Sequence, residues 1–288
     1  MTEVFEGKLY IVATPIGNLA DITLRSLEVL RQVDLIAAED TRHCRRLLSH
    51  HGIDTPVTAL HEHNEIEKLA SLITRLQQGS SIALVSDAGT PLINDPGFPL
   101  VNAAYRSGIT VSPIPGPCAI TAALSAAGIS ANRFAFEGFP PRTSNARKRF
   151  FEALLTEPRT IIFYESSHRL EKCLEDIQKV FPSQRRLVIA KEITKIHERF
   201  IHTTAGSAPE IFHQNPAFKK GEFVLLLEGA PPSTSEGILA EHLRTLHLLL
   251  EECPLKTAVT LAEKITGARK KTLYQAALDW QKIHKKNS

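Results

Sequence analysis

Strand-like and helix-like segments alternate along the first 114 residues, and this order constrains the fold more than any other feature. Apolar, largely β-branched runs predict strands at 9–13, 33–38, 57–60, 82–85 and 109–114. Apolar residues at helical spacing predict helices at 21–31, 42–51, 66–76 and 98–106. Strands that are apolar on both faces, with helices between them, are typical of parallel sheets. The sequence therefore predicts an α/β fold on an open parallel sheet.

The second half of the chain is less regular and predicts a mixed sheet. Strands are expected at 160–164, 187–190, 200–203 and 223–227, with one helix at 169–180. We interpret the Pro- and Arg-rich passage 139–149 as a hinge between two lobes, and we expect helices at 236–251, 255–266 and 269–283. The predicted units are an α/β lobe at 1–115, a second α/β lobe at 116–230 and a small helical module at 238–288.

Composition excludes several classes of protein. Of 288 residues, 43% are hydrophobic and 23% are charged, as in ordinary globular domains. No apolar run approaches the length of a membrane span, and the start reads as a strand rather than a signal peptide. The four cysteines lie more than fifty residues apart, so neither a disulfide framework nor a zinc motif is expected. These features predict a cytoplasmic protein.

The final segment is basic. Residues 254–288 carry a net charge of +6, whereas the whole chain carries only +3. Two apolar stripes predict a helix-turn-helix, one formed by Ala258, Leu261, Ala262 and Ile265 and the other by Leu273, Ala276, Ala277 and Trp280. Arg269, Lys270 and Lys271 crowd the first turn of the last helix, where the helix dipole disfavours cations. We interpret them as ligands of an external polyanion; the alternative is a solvated charge run on a packing appendage.

Three turn-rich segments follow predicted strands, at 14–18, 86–91 and 115–119. Ligands of open α/β sheets bind at the carboxyl ends of the strands, so these turns are candidate binding loops. The chain has neither a dinucleotide-binding G-x-G-x-x-G after a strand nor a phosphate-binding P-loop. Gly89 and Gly116 permit close backbone approach, and Asp87 adds a carboxylate, which suits an uncharged ring, an amino acid or a cation. The alternative is that all three are ordinary tight connections.

Longer motifs carry a family resemblance. They are TPIGNLxDIT at 14–23, AEDTR at 38–42, HEHNE at 61–65, SDAGTPxIxDPG at 86–97, PGPCA at 115–119, YESxHR at 164–169 and AKEITKxHE at 190–198. Over roughly residues 8–230 the chain resembles the ribosomal RNA small subunit methyltransferase I family of the tetrapyrrole methylase superfamily. A helical module like residues 240–284 is also typical of that family.

The resemblance implies a fold of two α/β lobes that differs from Rossmann methyltransferases. It implies S-adenosylmethionine as methyl donor and the 2′-hydroxyl of a cytidine in the decoding region of 16S rRNA as acceptor. It also implies a cytoplasmic homodimer that acts on 16S rRNA or the small ribosomal subunit. The donor pocket it indicates comprises Pro15, Asp87, Ala88, Gly89, Ile93, Cys118 and Ala119. Cys118 departs from the family, where serine is expected; the side chain stays small, but the resemblance no longer implies a hydroxyl hydrogen bond there.

Acceptor-side residues follow from the same motifs, from the basic final segment and from the Pro- and Arg-rich passage. Lys191 is the favoured catalytic candidate, as a base or as a charge that stabilises an oxyanion, and Glu165 is the second; the alternative for Lys191 is a solvated ion pair with Glu192. Predicted substrate contacts are Arg42, His61, His63, Asn64, His168, Arg169, Arg269, Lys270 and Lys271, with a weaker RNA-binding candidate in Arg142, Arg147, Lys148 and Arg149.

Two further alternatives stay open at this stage. His61 and His63 would share one face of a strand, but no third ligand suggests itself, so no metal is expected. The rival functions are methylation of a tetrapyrrole precursor and non-enzymatic binding of nucleic acid through the helical module.

Overall fold

The computed structural model of the chain describes residues 7–214, 218, 220–231 and 240–284. The chain divides into two compact units, the first ending at Gly229 and the second beginning at Ala230. Within the described residues, no helix combines the length and the apolar character that crossing a membrane requires.

Strands and helices of the first unit alternate as the sequence predicts up to Ile114, and beyond it the unit also contains elements that the sequence did not predict. Its strands are β1 (Lys8–Val12), β2 (Leu35–Ala38), β3 (Val57–Ala59), β4 (Ile82–Val85), β5 (Thr110–Ile114), β6 (Phe134–Phe136), β7 (Thr160–Ser166), β8 (Arg186–Lys191), β9 (Arg199–Thr204) and β10 (Glu222–Leu227). Its helices are α1 (Leu24–Gln32), α2 (Thr41–His50), α3 (Glu65–Gln77), α4 (Phe98–Arg106), α5 (Ala119–Ala126), α6 (Ser144–Ala153), α7 (Ser167–Val180) and α8 (Ala208–Gln214).

The first sheet is five-stranded, with the order β3-β2-β4-β1-β5. All its pairings are parallel, which confirms the predicted open parallel sheet. Successive side chains of β1 point to opposite faces, so Leu9 packs in the core that contains Leu72 of α3, and Tyr10 packs in the core that contains Val29 of α1. Both faces are therefore buried, as the continuous apolar strands require.

The second sheet has the order β6-β7-β10-β8-β9. Only β6 and β7 pair in parallel, so the predicted mixed sheet is confirmed. On one face, Phe163 packs with Leu174 of α7; on the other, Ile162 packs with Ile120 of α5. Helix α5 follows β5 of the first sheet directly but covers the second sheet, so the chain passes from one sheet to the other at this point.

The predicted hinge at 139–149 is wrong. Strand β6 precedes this passage and already belongs to the second sheet, and α6 begins within it. Arg147 is 2% exposed, and its Nη2 lies 2.6 Å from Oδ2 of Asp176 on α7. Arginine at this position is therefore a buried packing residue rather than a mark of a linker. The lobe boundary at 115/116 stays a prediction, because both sheets lie in one compact unit.

The second unit contains α9 (Ala240–Glu252), α10 (Leu255–Thr266) and α11 (Lys270–His284). Gly267, with φ +69°, ends α10 and donates its amide to the carbonyl of Glu263. The predicted stripe of α11 is confirmed, since Leu273 and Ala277 are buried. The stripe predicted for α10 is partly wrong, because Leu261 is 37% and Ile265 is 64% exposed. Val259 is buried in their place, so the buried face of α10 consists of Ala258, Val259 and Ala262. Residues 238, 239 and 285–288 of the predicted module lie outside the described residues.

Candidate active site

A cavity of about 410 Å³ lies between the loops of the first sheet and one end of the second sheet. Its lining residues are Ile16, Ala88, Gly89, Thr90, Ile93, Asn94, Asp95, Cys118, Ala119, Phe139, Tyr164, Glu165, Ser166, Ile193, Glu222, Phe223 and Val224. Cavities of this size hold small molecules and cofactors. The first-sheet residues come from the carboxyl ends of β1, β4 and β5, where parallel sheets bind their ligands.

Backbone contacts fix the first-sheet side of the cavity. Thr14 and Gly89 exchange two backbone hydrogen bonds of 2.9 and 3.0 Å, which join the loops after β1 and β4. Gly89 has φ +87°, and a Cβ there would lie 3.3 Å from Cγ2 of Ile16. The hydroxyl of Thr90 donates to the carbonyl of Pro117 at 3.1 Å, which ties in the loop after β5. Glycine at position 89 therefore permits both the backbone conformation and the close approach.

Two isoleucines enter the cavity from strained loops. Leu92 and Asn94, on either side of Ile93, have φ values of +73° and +67°. Glu192 and Thr194, on either side of Ile193, have φ values of +51° and +68°. Non-glycine residues rarely adopt this conformation, and it persists where the surrounding structure enforces it, often at functional sites.

The charged residues that line the cavity are all acidic: Asp95, Glu165 and Glu222. The pKa of Asp95 is raised to about 6: burial is the largest cause, the nearby Asp87 carboxylate acts in the same direction, and a hydrogen bond from Ser86 opposes both. The pKa of Glu39 is raised by burial and by the same two aspartates. Three carboxylates therefore interact beside this end of β2 and β4. The acidic residues that line the cavity attract a cation and disfavour a phosphate.

Five of the seven predicted donor-pocket residues line this cavity: Ala88, Gly89, Ile93, Cys118 and Ala119. Pro15 and Asp87 are not among the lining residues, although each adjoins one in the chain. Oδ1 of Asp87 accepts the backbone N–H of Asp40 at 2.9 Å, so its carboxylate links the end of β4 to the start of α2. The strand order of the first sheet brings together the loops that carry the predicted donor-pocket residues. The role of these residues in binding a methyl donor stays a prediction.

The two catalytic candidates lie on the face of the second sheet that α7 covers. Glu165 accepts the N–H of Ser166 at 2.9 Å, and its Oε1 lies 3.3 Å from Nε of Arg169. Burial raises the pKa of Glu165, and its Oε2 has no hydrogen bond to the described residues within normal geometry, although the Cys173 thiol lies close by. Lys191 is 5% exposed and does not line the cavity. The expected solvated pair of Lys191 with Glu192 is not found; Glu192 pairs with Lys195 at 3.0 Å.

The histidine motif lies in a turn rather than on a strand. β3 ends at Ala59, and His61 and His63 precede α3 in a turn, with ring centroids 5.9 Å apart. Asn64 uses its side chain to hold this turn, since Oδ1 accepts the N–H of His61 at 2.9 Å and Nδ2 donates to the carbonyl of Ala59. The expectation of a shared strand face is therefore wrong. Among the described residues, no group of His, Cys, Asp or Glu is arranged to hold a metal ion.

The remaining predicted substrate contacts differ in exposure. The Arg42 side chain is 85% exposed and pairs with Asp40 at 3.1 Å. His168 is exposed on α7, whereas Arg169 is partly buried and donates to the carbonyl of Pro140. In the second unit Arg269, Lys270 and Lys271 are exposed at the start of α11, and Lys270 lies 3.8 Å from Glu263.

Eleven of the seventeen cavity residues were not selected from the sequence, among them Asp95, Phe139, Tyr164 and Glu222. Asp95 belongs to the motif at 86–97 and Tyr164 to the motif at 164–169, so the sequence did contain a signal for both residues. Phe139 lies in the passage taken as a hinge. Glu222 begins a strand, and only the sheet order shows that it meets the loops of the first sheet.

Comparison with known families covers most of the chain. Residues 8–209 match the model of the Tetrapyrrole (Corrin/Porphyrin) Methylases, and residues 236–281 match that of the RsmI C-terminal HTH domain. Ribosomal RNA small subunit methyltransferase I of Escherichia coli O157:H7 is 52% identical over 276 residues, 96% of each chain. The protein of the same name from Haemophilus influenzae is 52% identical over 273 residues, 94% of this chain and 96% of the relative.

Solved structures show the same fold at low identity. The methyltransferase CobJ superposes with a TM-score of 0.58 at 17% identity, covering 78% of this chain and 95% of its own. Uroporphyrin-III-C-methyltransferase from Thermus thermophilus superposes with a TM-score of 0.54 at 20% identity, covering 77% and 94%. The fold expected from the resemblance is thus confirmed. The chain belongs to the tetrapyrrole methylase family and, within it, to the ribosomal RNA small subunit methyltransferase I group.

Proposed function

We propose that this protein uses S-adenosylmethionine to methylate the ribosomal RNA of the small subunit. The more specific acceptor is the 2′-hydroxyl of a cytidine ribose in the decoding region of 16S rRNA. The acidic cavity between the two sheets carries this proposal on the structural side, and the relatives that are 52% identical over nearly the whole chain support it on the sequence side.

The cavity residues fit the donor. Its walls are largely apolar, which suits an adenine ring and a methionine chain, and its charged residues are carboxylates, which suit the positive charge of a sulfonium. A nucleotide cofactor with phosphate groups would meet only acidic charges there. When bound, the donor supplies an electrophilic methyl group. Ala88, Gly89, Ile93, Cys118 and Ala119 would hold it, and Asp95 would balance its charge.

Positioning is the main task of the chain, because methyl transfer to oxygen needs the two reacting atoms aligned and close. The paired loops at Thr14 and Gly89 and the strained loops around Ile93 and Ile193 give the cavity a fixed shape. Pro15 and Asp87 would act indirectly, by holding the loops that carry the lining residues. Asp87 does this through its hydrogen bond to Asp40.

Proton removal from the acceptor hydroxyl is assigned to Lys191, with Glu165 as the second candidate. Support for Lys191 is its burial at the end of β8, in one row with Glu165 across the second sheet. Glu165 is held by Ser166 and Arg169, which supports a positioning role for it. Arg169 in turn fixes the carbonyl of Pro140, next to the cavity residue Phe139.

RNA would contact exposed basic and aromatic groups outside the cavity. Of those assigned from the sequence, Arg42, His63 and His168 in the first unit and Arg269, Lys270 and Lys271 in the second are exposed, whereas His61 and Arg169 are half-buried. Asn64 is assigned an indirect part, since its side chain shapes the turn that carries the two histidines. We expect the active form to be a cytoplasmic homodimer.

The direct experiment maps ribose methylation in rRNA from cells with and without this gene. We expect one 2′-O-methylcytidine of the decoding region to disappear with the gene and to return when the wild-type gene is restored. An unchanged map would overturn the assignment of the acceptor. Purified protein with small ribosomal subunits or a porphyrinoid as acceptor separates RNA methylation from tetrapyrrole methylation.

A further inference from the structure

Helix α2 presents a row of arginines to solvent, of which the proposed function has used only Arg42. Cys44, Leu47 and Leu48 are its buried residues. Arg42, Arg45, Arg46 and Ser49 follow the spacing i, i+3, i+4 and i+7, so they share the opposite, exposed side. We define the α2 basic face as Arg42, His43, Arg45, Arg46 and His50, all of which are exposed. The helix contains no acidic residue.

Contacts within the protein do not account for this row. Arg42 pairs with Asp40, but neither Arg45 nor Arg46 forms an ion pair with the described residues. Like charges three and four residues apart destabilise a helix, and cations in its first turn oppose the helix dipole. The arrangement therefore costs helix stability, and an external anion would offset that cost.

The first turn of α2 also forms a cleft. Asp40, Arg42, His43 and Arg46 enclose about 260 Å³. The carboxylate of Asp40 already accepts the backbone N–H groups of Arg42 and His43, so these amides are not available to a ligand. An anion in the cleft would meet the guanidinium groups of Arg42 and Arg46. Guanidinium matches phosphate with paired hydrogen bonds, which an ammonium cannot do.

The basic face begins beside the cavity. α2 follows β2 at the carboxyl edge of the first sheet, the same edge that carries the cavity loops. The Asp87–Asp40 hydrogen bond joins the start of α2 to the residue before Ala88, which lines the cavity. A strand of RNA whose nucleotide reaches the cavity would thus have its neighbouring phosphates near the start of α2.

We propose that the α2 basic face binds consecutive phosphates of the RNA substrate, in addition to any contact made by the helical module. This inference rests on the proposed function for the identity of the polyanion. RNA suits the face better than an acidic protein segment, because its charges repeat at regular spacing and each accepts a bidentate guanidinium. The contact is to the backbone, so it positions the substrate without reading its sequence.

The test compares two double variants that remove equal charge from one sheet. Arg45→Gln/Arg46→Gln changes the basic face. Arg75→Gln/Arg106→Gln is the matched control, because both of these arginines are exposed near the ends of α3 and α4, at the opposite edge of the same sheet. Binding of a 16S rRNA transcript is measured from 50 to 200 mM salt, and S-adenosylhomocysteine binding is measured alongside.

We expect the α2 variant to bind the transcript at least about tenfold more weakly at low salt, while the control stays within about twofold. Two lost phosphate contacts should reduce the slope of log affinity against log salt by about 1.4 to 1.8. Equal losses in both variants, or none in either, would overturn the proposal. If the α2-dependent binding is found but no methyl transfer to rRNA occurs, the proposed function fails while the docking surface stands.

Discussion

Glu165 on β7 and Lys191 on β8 both lie directly opposite Phe223, on the strand β10 between them. Residues opposite one another across strands share a face of the sheet, so both side chains emerge on the face that α7 covers. Tyr164 and Val224, one position along, belong to the other face with α5. The two catalytic candidates thus form one row, in which Glu165 lines the cavity and Lys191 does not.

This row makes the Lys191 assignment testable. Lys191→Met should lower the single-turnover rate about 100-fold, the lower end of what a general base supplies, and leave donor affinity unchanged. Lys179→Met, at an exposed lysine of α7, is the control. A rate close to wild type for Lys191→Met would reduce Lys191 to a packing residue.

The ionised carboxylate of Asp95 should lower the free energy of unfolding at neutral pH. Its pKa is about 6 in the folded protein against 3.8 in the unfolded chain, so the folded state holds the proton more tightly. The stability that Asp95 contributes in its protonated form is therefore fully present below about pH 4 and is lost as the pH rises through about 6. Because Asp95 is partly exposed to solvent, we expect its raised pKa to cost only about 1 kcal/mol of stability above that pH.

Asp95→Asn should accordingly raise the free energy of unfolding by about 1 kcal/mol at pH 7.5, with no difference at pH 3.5, as measured by urea denaturation. The same variant should bind S-adenosylmethionine more weakly at pH 7.5 and lose less affinity for the uncharged sulfur of S-adenosylhomocysteine. Equal losses for both ligands would show that Asp95 does not sense the sulfonium charge.

The buried pair of Arg147 and Asp176 should be among the most sensitive positions of the second sheet. Nε of Arg147 also bonds Asp176 at 2.9 Å, and its Nη1 donates to the carbonyls of Pro141 and Arg142. Arg147→Met leaves a buried carboxylate unpaired and should cost about 3 to 5 kcal/mol of unfolding free energy. Exposed Arg149→Met, on the same helix, should change it by less than about 0.5 kcal/mol.

This result would also settle the weaker RNA-binding candidate. Arg147 is 2% exposed and cannot reach RNA without leaving Asp176, so only Arg142, Lys148 and Arg149 stay candidates from that group. Comparable losses of stability in the two variants would contradict the account of the buried pair.

Gly17 should be essential because Lys195 lies against it. A Cβ on Gly17 would fall 2.5 Å from Cγ of Lys195, whose Nζ bonds Glu192 and Glu222. Gly17→Ala should therefore destabilise the protein by about 1 to 3 kcal/mol. Combining it with Lys195→Ala should recover part of this loss, since the two positions are in contact. Strict additivity in thermal denaturation would mean that backbone conformation at Gly17, with φ +149°, is the whole cause.

The basic turn of α11 should carry part of the salt dependence of RNA binding. Arg269→Gln/Lys270→Gln/Lys271→Gln removes three exposed cations from the second unit. If each contacts a phosphate, the slope of log affinity against log salt falls by about 2 to 3. Replacing Lys256 and Lys264 of α10 by Gln is the control. An unchanged slope for the triple variant would make the module a structural appendage.

The helices and strands that could be predicted are those in which the spacing of apolar residues along the chain matches the side chains that are buried. Strands such as β1 and β4 are apolar on both faces, so their runs stand out, and the parallel first sheet follows from their alternation with helices. Helix α5 was missed because Pro115 and Pro117 mark a turn just before it and small alanines dilute its pattern. In α10, two stripes of similar apolarity compete, and only packing against α9 and α11 decides between them.

Site residues were harder to predict because the cavity joins segments far apart in the chain. The glycine loops at strand ends could be predicted, since strand order places such turns at one edge of a parallel sheet. Glu222 and Phe139 could not, because they reach the cavity only through the order of the second sheet. The arginines of α2 could be placed on one side of a helix from the sequence, but only the structure shows that Arg45 and Arg46 form no ion pair with the described residues.

A crystal structure with S-adenosylmethionine bound tests the central claim most directly. The account predicts density for the donor in the cavity between the sheets, in contact with Gly89, Cys118 and Ala119 and with its sulfonium on the side of Asp95. Density at any other place, or an empty cavity at saturating donor, would contradict it.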